Sequence, residues 1–386
     1  MDNDNKFEIC SVDAVDNYNI DSNSRFSSKY VDVNEEIKDN SKNDQIYECI
    51  NPKLIKLKEF CKQYITSDEE YLYKTCNNYI IIMKKTSDTI TNEERKNIIN
   101  YNFAKFRANV LYVVAIVEID NLTTIDEITN CANYNKGNIL KIIYKINNLV
   151  FPDKFDQNIN IICTSGIHYF KTLDAAFYYN YNPQENTGKC YYFYPNGEFY
   201  SIANYKHGKL SGKYISWHTN GTKLMEGYYV DTMRIGVWTF WHDIDGKKSA
   251  EGSYNDYALK YGKWTEWDNR GNISEEGEYV DDKKNGIWTT YVCFLEKNPI
   301  SMNMDSFNVI EKVSYVDGIL NGKTISHYEN GNKEEEGEFF QGDRTGLWTR
   351  WYYTGNKKSE CRYIYGNRSM YSEWSNDGKE ITRGLF

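Results

Sequence analysis

Gly236-Val-Trp238-Thr-Phe-Trp241 returns three times downstream, as Gly262-Lys-Trp264-Thr-Glu-Trp267, Gly286-Ile-Trp288-Thr-Thr-Tyr291 and Gly346-Leu-Trp348-Thr-Arg-Trp351. Degenerate copies begin at Gly188, Gly212, Gly322 and Ser369. Successive starts are separated by 24, 24, 26, 24, 36, 24 and 23 residues, which defines eight units. Self-similarity at such a period marks a repeat architecture. Four residues after the second aromatic comes a glycine, as in Trp217/Gly221 and Trp351/Gly355. Six residues further comes another, usually behind a glutamate: Glu226-Gly227, Glu251-Gly252, Glu276-Gly277 and Glu336-Gly337.

Each unit reads as strand, turn, strand, turn. Asn220-Gly221 and Asn330-Gly331 are hairpin signals, and the two-residue turn they predict places both central residues at positive φ. Eight units give about sixteen strands at ~4.8 Å spacing, hence an elongated antiparallel sheet of roughly 70 Å. Equivalent positions then line up in ladders, Trp238, Trp264, Trp288 and Trp348 in one and Trp241, Trp267, Tyr291 and Trp351 in another. Three residues separate the two aromatics of a unit, so strict alternation puts the ladders on opposite faces unless a bulge intervenes. The 36-residue step carries an insertion near 292–308, read as a tolerated loop.

The unit, roughly Y-x-x-G-x-x-x-G-x-W-x-x-[YW]-x-x-x-G-x-x-x-x-E-G-x-Y, resembles the MORN-repeat variant family over residues 188–386. The resemblance implies an extended hairpin array, although the closely spaced Gly-x-Gly of the better-known MORN consensus is missing. Upstream, Asn102-Phe-Ala-Lys-Phe-Arg-Ala-Asn109, Cys163-Thr-Ser-Gly-Ile-His-Tyr-Phe170 and Leu173-Asp-Ala-Ala176 resemble a module of unknown function in repeat proteins of mimivirus-like giant DNA viruses. There the module precedes MORN-type or pentapeptide repeats, and the resemblance implies no activity for it.

Residues 1–45 read as a disordered acidic leader, since the first fifty residues hold 12 acidic and 5 basic side chains and too little apolar surface to offset ordering. Residues 46–187 mix helical and strand patterns and read as an α+β domain. Helices are expected over Pro52–Thr66, from Thr91 toward Ile99, from Thr124 through Ala132 and from Thr172. Strands are expected at Tyr79–Met83, Leu111–Ile119, Ile139–Val150 and Ile159–Cys163. The fold class expected is thus an α+β N-terminal domain followed by an all-β hairpin-repeat sheet of MORN type.

The net charge of −9 argues against a nucleic-acid partner, which requires a basic face. No apolar run is long enough to cross a membrane as a helix, and the first residues lack the basic and apolar regions of a signal peptide, so an intracellular location is expected (host cytoplasm, if the chain is viral). The nine cysteines are scattered without a C-x-x-C pair, so no metal site is expected.

Cys163, Ser165 and His168 form the one compact nucleophile-and-base cluster, and Cys and His there also suit core and turn positions. His218 and His242, one unit apart, lack the third ligand that a zinc site needs and read as solvent-facing strand residues. The recurring Glu-Gly carboxylates occupy one environment many times over, whereas paired catalytic carboxylates need two unlike ones. They read as structural, bonded to the adjoining hairpin. Catalytic residues, cofactor-binding residues and cofactors are therefore all expected to be none. The expectation is a non-enzymatic scaffold that binds another protein, with a homo-oligomer left open. Membrane-lipid association is disfavoured, because residues 188–386 carry 25 basic and 28 acidic side chains. An enzyme in the head is the third reading.

Overall fold

The computed structural model describes residues 51–134, 138–179, 181, 187–294 and 306–385. The expected acidic leader, Cys10, Cys49 and the tip of the insertion lie outside them. The described chain is a small α+β head followed by one sixteen-stranded antiparallel sheet.

The head holds α1 (Pro52–Cys61), β1 (Tyr71–Cys76), β2 (Tyr79–Lys84), β3 (Lys105–Ala108), β4 (Leu111–Glu118), β5 (Glu127–Tyr134), β6 (Asn138–Lys145), β7 (Leu149–Val150), β8 (Ile167–Phe170) and α2 (Leu173–Tyr179). Six of the strands form an antiparallel sheet in the order β3-β8-β1-β2-β4-β7, and β5 and β6 form a separate hairpin. Asn51 caps α1 by accepting from the Lys53 N–H, and Pro52 occupies the first turn, where its missing donor costs nothing. Leu54 and Leu57 of α1, with Leu173 and Phe177 of α2, bury one face of the sheet against Ile80, Ile82 and Val117. The other face is covered through Tyr144 of β6, which packs with Leu72, Ile81, Phe106 and Val113.

Three expectations for the head fail. Residues 91–99 form turns, not a helix, because Asn92 bonds the chain elsewhere: its N–H reaches the Arg107 carbonyl and its Oδ1 accepts from the Arg107 N–H at 2.9 Å. Side-chain bonds of this kind compete with the helical ladder. Residues 127–132, read as part of a helix from Thr124, belong instead to strand β5, paired along its whole length with β6. Residues 159–163 are turn and bend rather than strand. The buried Arg107 guanidinium gathers that segment by donating to the carbonyls of Asp156, Asn158, Ile161 and Ser165.

The array is a meander in which every strand pairs with its sequence neighbours, from Gly188–Phe193 to Glu380–Leu385. Its two edges use different turns. At one edge sit two-residue turns such as Asp231-Thr232 (φ 47° and 74°) and Asp281-Asp282 (φ 48° and 64°), both residues left-handed, the geometry that matches strand twist. At the other edge lie the Asn-Gly pairs, where only the glycine is left-handed, with φ 84° at Gly221 and 83° at Gly331. The tight-turn reading of Asn-Gly is thus corrected. The asparagine acts through its side chain instead. Asn330 Oδ1 accepts from the Asn332 N–H at 3.0 Å, while its Nδ2 donates to the Tyr353 carbonyl of the next unit at 2.8 Å. In the insertion the hairpin is lengthened by pairs Val292↔Asn308, Cys293↔Phe307 and Phe294↔Ser306.

Candidate interaction surface

Gly236, Gly262, Gly286 and Gly346 all lie at left-handed φ, between 62° and 69°, and each opens a bulge. Pairing runs Glu226↔Thr239 and then Tyr228↔Ile235, so Gly236-Val237-Trp238 faces the single residue Gly227. The bulge drops the Trp238 indole onto that glycine. A Cβ on Gly227 would lie 2.3 Å from the ring, and one on Gly252 would lie 2.1 Å from the Trp264 ring. Gly277 under Trp288 and Gly337 under Trp348 repeat the arrangement. Each indole N–H then donates to the carbonyl next along the glycine strand: Trp238 to Tyr228, Trp264 to Ser253, Trp288 to Glu278 and Trp348 to Glu338, at 3.0–3.2 Å.

A cation closes the stack from above. Arg234, Lys260, Lys284 and Arg344 hold their charges 4.7, 4.3, 3.9 and 3.8 Å from the centroids of Trp238, Trp264, Trp288 and Trp348. Glycine below and cation above leave these indoles at most 3% exposed in a sheet that no second layer covers among the described residues. The sequence carries this rule without exception. Where the glycine is Ala203, Val313 or Cys361, the later ring position holds Tyr214, Thr324 or Tyr371 and never tryptophan.

Trp241, Trp267 and Trp351 are half-buried on the opposite face, because the chain from Trp238 to Trp241 and its equivalents alternates regularly. There Lys223 lies 4.6 Å from the Trp241 ring centroid and ion-pairs with Glu226 at 2.7 Å. Lys248 with Trp267 and Glu251, and Lys333 with Trp351 and Glu336, repeat it. In one unit Ile273 replaces the lysine, and the aromatic becomes Tyr291, whose hydroxyl donates to Glu276 at 2.7 Å. The Glu-Gly carboxylates therefore hold their partners both within their own strand and across to the neighbour, as where Glu251 accepts from Thr239.

This opposite face leaves a set of apolar side chains uncovered. Next to the tight turns stand Val230, Met233, Val280, Val316, Ile319 and Phe340. Further in stand Val237, Ile287 (63% exposed) and Leu347. These residues alternate with the indole-face positions Tyr229, Tyr279, Tyr315, Trp238, Trp288 and Trp348, so they share one side of the sheet.

The histidines and the head cluster are placed differently from expectation. His242 is a half-buried turn residue whose Nε2 sits 3.0 Å from the Trp267 carbonyl of the next unit, and His218 is half-buried at the equivalent position. His168 lies on β8 opposite Arg107, with Nε2 3.3 Å from the Ile162 carbonyl. Burial, then the positive Lys105 and Lys74, hold its pKa well below the ordinary value, so the ring is neutral. No hydrogen bond joins it to Cys163 among the described residues, and Ser165 contributes its carbonyl to Arg107. Among the described residues there is also no group of three metal-ligating side chains, and no helix is long and apolar enough to cross a membrane.

The first hairpin of the array is seated in the head. Phe103 stacks on Phe193 with centroids 4.1 Å apart. The Asn196 carbonyl accepts from the N–H groups of Ile99 and Asn100. Arg95, almost wholly buried over the Phe106 ring, donates to the Pro195 carbonyl at 3.0 Å. Burial lowers its pKa to about 10.

Over residues 62–176 the chain matches the model of a family of unknown function, DUF5758. That stretch lies wholly in the head. The comparison with curated proteins returned no match. Among solved structures, the crystal structure of TcdB2-TccC3 aligns at 10% identity with a TM-score of 0.17, covering 86% of this chain and 22% of that one. The same assembly without its hypervariable C-terminal region aligns at 8% identity and TM-score 0.17, covering 77% of this chain and 16% of that one. This chain therefore spans about a fifth, or less, of the length of those chains.

Proposed function

We propose that the array is a non-enzymatic scaffold that binds another protein on the side of its sheet opposite the indole stacks. The observation that carries this reading is the set of uncovered apolar side chains on that side, among them Val237, Ile287 and Leu347 at equivalent positions of three units. Exposed apolar side chains that recur from unit to unit on one side of a sheet suit an interaction site. An extended array presents it along many units at once. The resemblance to MORN-type arrays agrees with a scaffold, and the head supplies a rigid base for it. Catalysis in the head finds less support, because His168 is committed to a backbone carbonyl.

The test immobilises the full chain and compares the proteins it retains, at ~0.3 M salt where exposed charge pairs are screened, with those retained by Ile287→Asp/Leu347→Asp. Partners are expected to bind the wild type at that salt and to be lost from the variant. Identical retention by both overturns the reading. Flotation of the wild type with anionic vesicles at physiological salt, abolished in the variant, replaces the protein partner with a lipid surface.

A further inference from the structure

The indole stack lapses near the end of the array, in the strands Lys357–Ile364 and Asn367–Trp374. Three changes coincide: Cys361 stands in place of the glycine, Tyr371 in place of the tryptophan, and Ser369 in place of the bulge glycine. Without a left-handed glycine the bulge shrinks. Cys361 pairs directly with Tyr371, and the irregularity is confined to the step between Arg362↔Met370 and Tyr363↔Arg368. No indole covers this strand, and a depression of about 120 Å³ opens on the indole face.

Its lining is mainly cationic, with Arg344, Arg350, Lys358 and Arg368 around the carboxylate of Glu335, while Glu373 at its margin accepts from the lining Tyr371 hydroxyl at 3.0 Å. This concentration runs against a chain of net charge −9. Glu335 accepts from Arg344 at 2.9 and 3.0 Å and from Arg350 Nε at 2.6 Å, so one carboxylate already sits between two guanidinium groups. Arg344 is also held over Trp348 and is structural. Arg350 remains half-exposed. Arg368 is exposed beside the Tyr371 ring, 6.0 Å from its centroid, and neither it nor Lys358 forms an ion pair among the described residues. Planar guanidinium forks recognise carboxylates in bidentate fashion.

We propose that this groove takes carboxylate side chains from an acidic segment of the protein partner, with Arg350 and Arg368 making the contacts. The proposal rests on the scaffold reading and adds a second, charge-selective contact on the face away from Val237, Ile287 and Leu347. The two contacts respond oppositely to salt, since apolar burial is not screened and exposed ion pairs are.

The probe is a fluorescein-labelled ten-residue glutamate peptide, titrated against the full chain by fluorescence anisotropy. Saturable binding is expected at ~50 mM salt and its loss at ~0.5 M. Arg350→Gln/Arg368→Gln is expected to weaken binding about tenfold or more, a loss of two charge-assisted contacts. Arg368→Lys, which keeps the charge but not the fork, should fall between. Ile287→Asp should bind the peptide as the wild type does, which separates failure of this groove from failure of the scaffold reading. Absence of saturable binding, or equal affinity in the double variant with an unchanged circular dichroism spectrum, overturns the proposal. Displacement of the peptide by equimolar inorganic phosphate also overturns it and assigns the groove to phosphate.

Discussion

At the scale of single residues, the fold turns on a contact between the smallest side chain and the largest. Gly252 is required because Trp264 lies on it, and Trp264 is buried because Gly252 leaves the space. Trp264→Ala should cost ~3–5 kcal/mol, the usual price of emptying a large buried site. Gly252→Ala should destabilise by ~1–3 kcal/mol, since its methyl would overlap the ring. The informative experiment is the double variant in urea unfolding. If the contact is as described, Gly252→Ala costs much less in the Trp264→Ala background, where the methyl enters the vacated volume. Strict additivity would refute the stack. Both residue types were visible in the sequence, as was their recurrence. Their pairing was also legible, because Ala203, Val313 and Cys361 lose the tryptophan together with the glycine. Reading the ladders along like positions concealed a contact between unlike ones.

At the scale of strands and hairpins, the row beside the stacks changes character along the array. Phe240 stacks with Trp264, but further on Glu275, Thr290, Glu311, Ser326 and Glu335 follow one another across consecutive strands. Lys284 pairs with Glu275, and Arg344 and Arg350 with Glu335. Burial, followed by the charges of Glu275, Glu334 and Glu335, raises the pKa of Glu311, against a smaller opposing pull from Lys284. A carboxyl raised in the fold favours folding while protonated. That contribution is complete below the unfolded value of ~4.3 and is lost as pH rises through the folded one. Glu311→Gln should therefore unfold at higher urea than the wild type at pH 7, with the gap closing toward pH 4. A gap that widens on acidification would contradict the placement of these charges. In the head, periodicity identified α1, β2, β4 and α2, which pair long regular patterns with a cap or a continuous apolar run. It misread 91–99 and 127–132, where Asn92 and a partner strand supply bonds that no local window contains.

At the scale of the molecule, head and array share a boundary that is packed rather than open. Gly197, at φ 88°, has so little room that a Cβ there would fall 2.0 Å from the Asn100 carbonyl oxygen. Gly197→Ala should loosen both sides of that seam together. Hydrogen exchange should then accelerate in β3 and in Gly188–Phe193, while strands beyond Trp264 keep their protection, because a repeat array couples mainly to nearest neighbours. Uniform loss along the chain would mean one cooperative block. The composition change near 187 marked where the repeats begin, but the seating of Phe193 against Phe103 depends on a turn of the array and a loop of the head meeting in space. The glycine stacks themselves impose a direction on the chain. Each glycine is covered by a tryptophan 11 or 12 residues later, as with Gly227 and Trp238 or Gly252 and Trp264. During synthesis from the N-terminus, a strand leaving the ribosome waits only about a second for its lid at ~5–20 residues per second. The head comes first and offers the seat for the opening hairpin. The array can then close stepwise behind the growing end, with only its newest glycine bare at any moment.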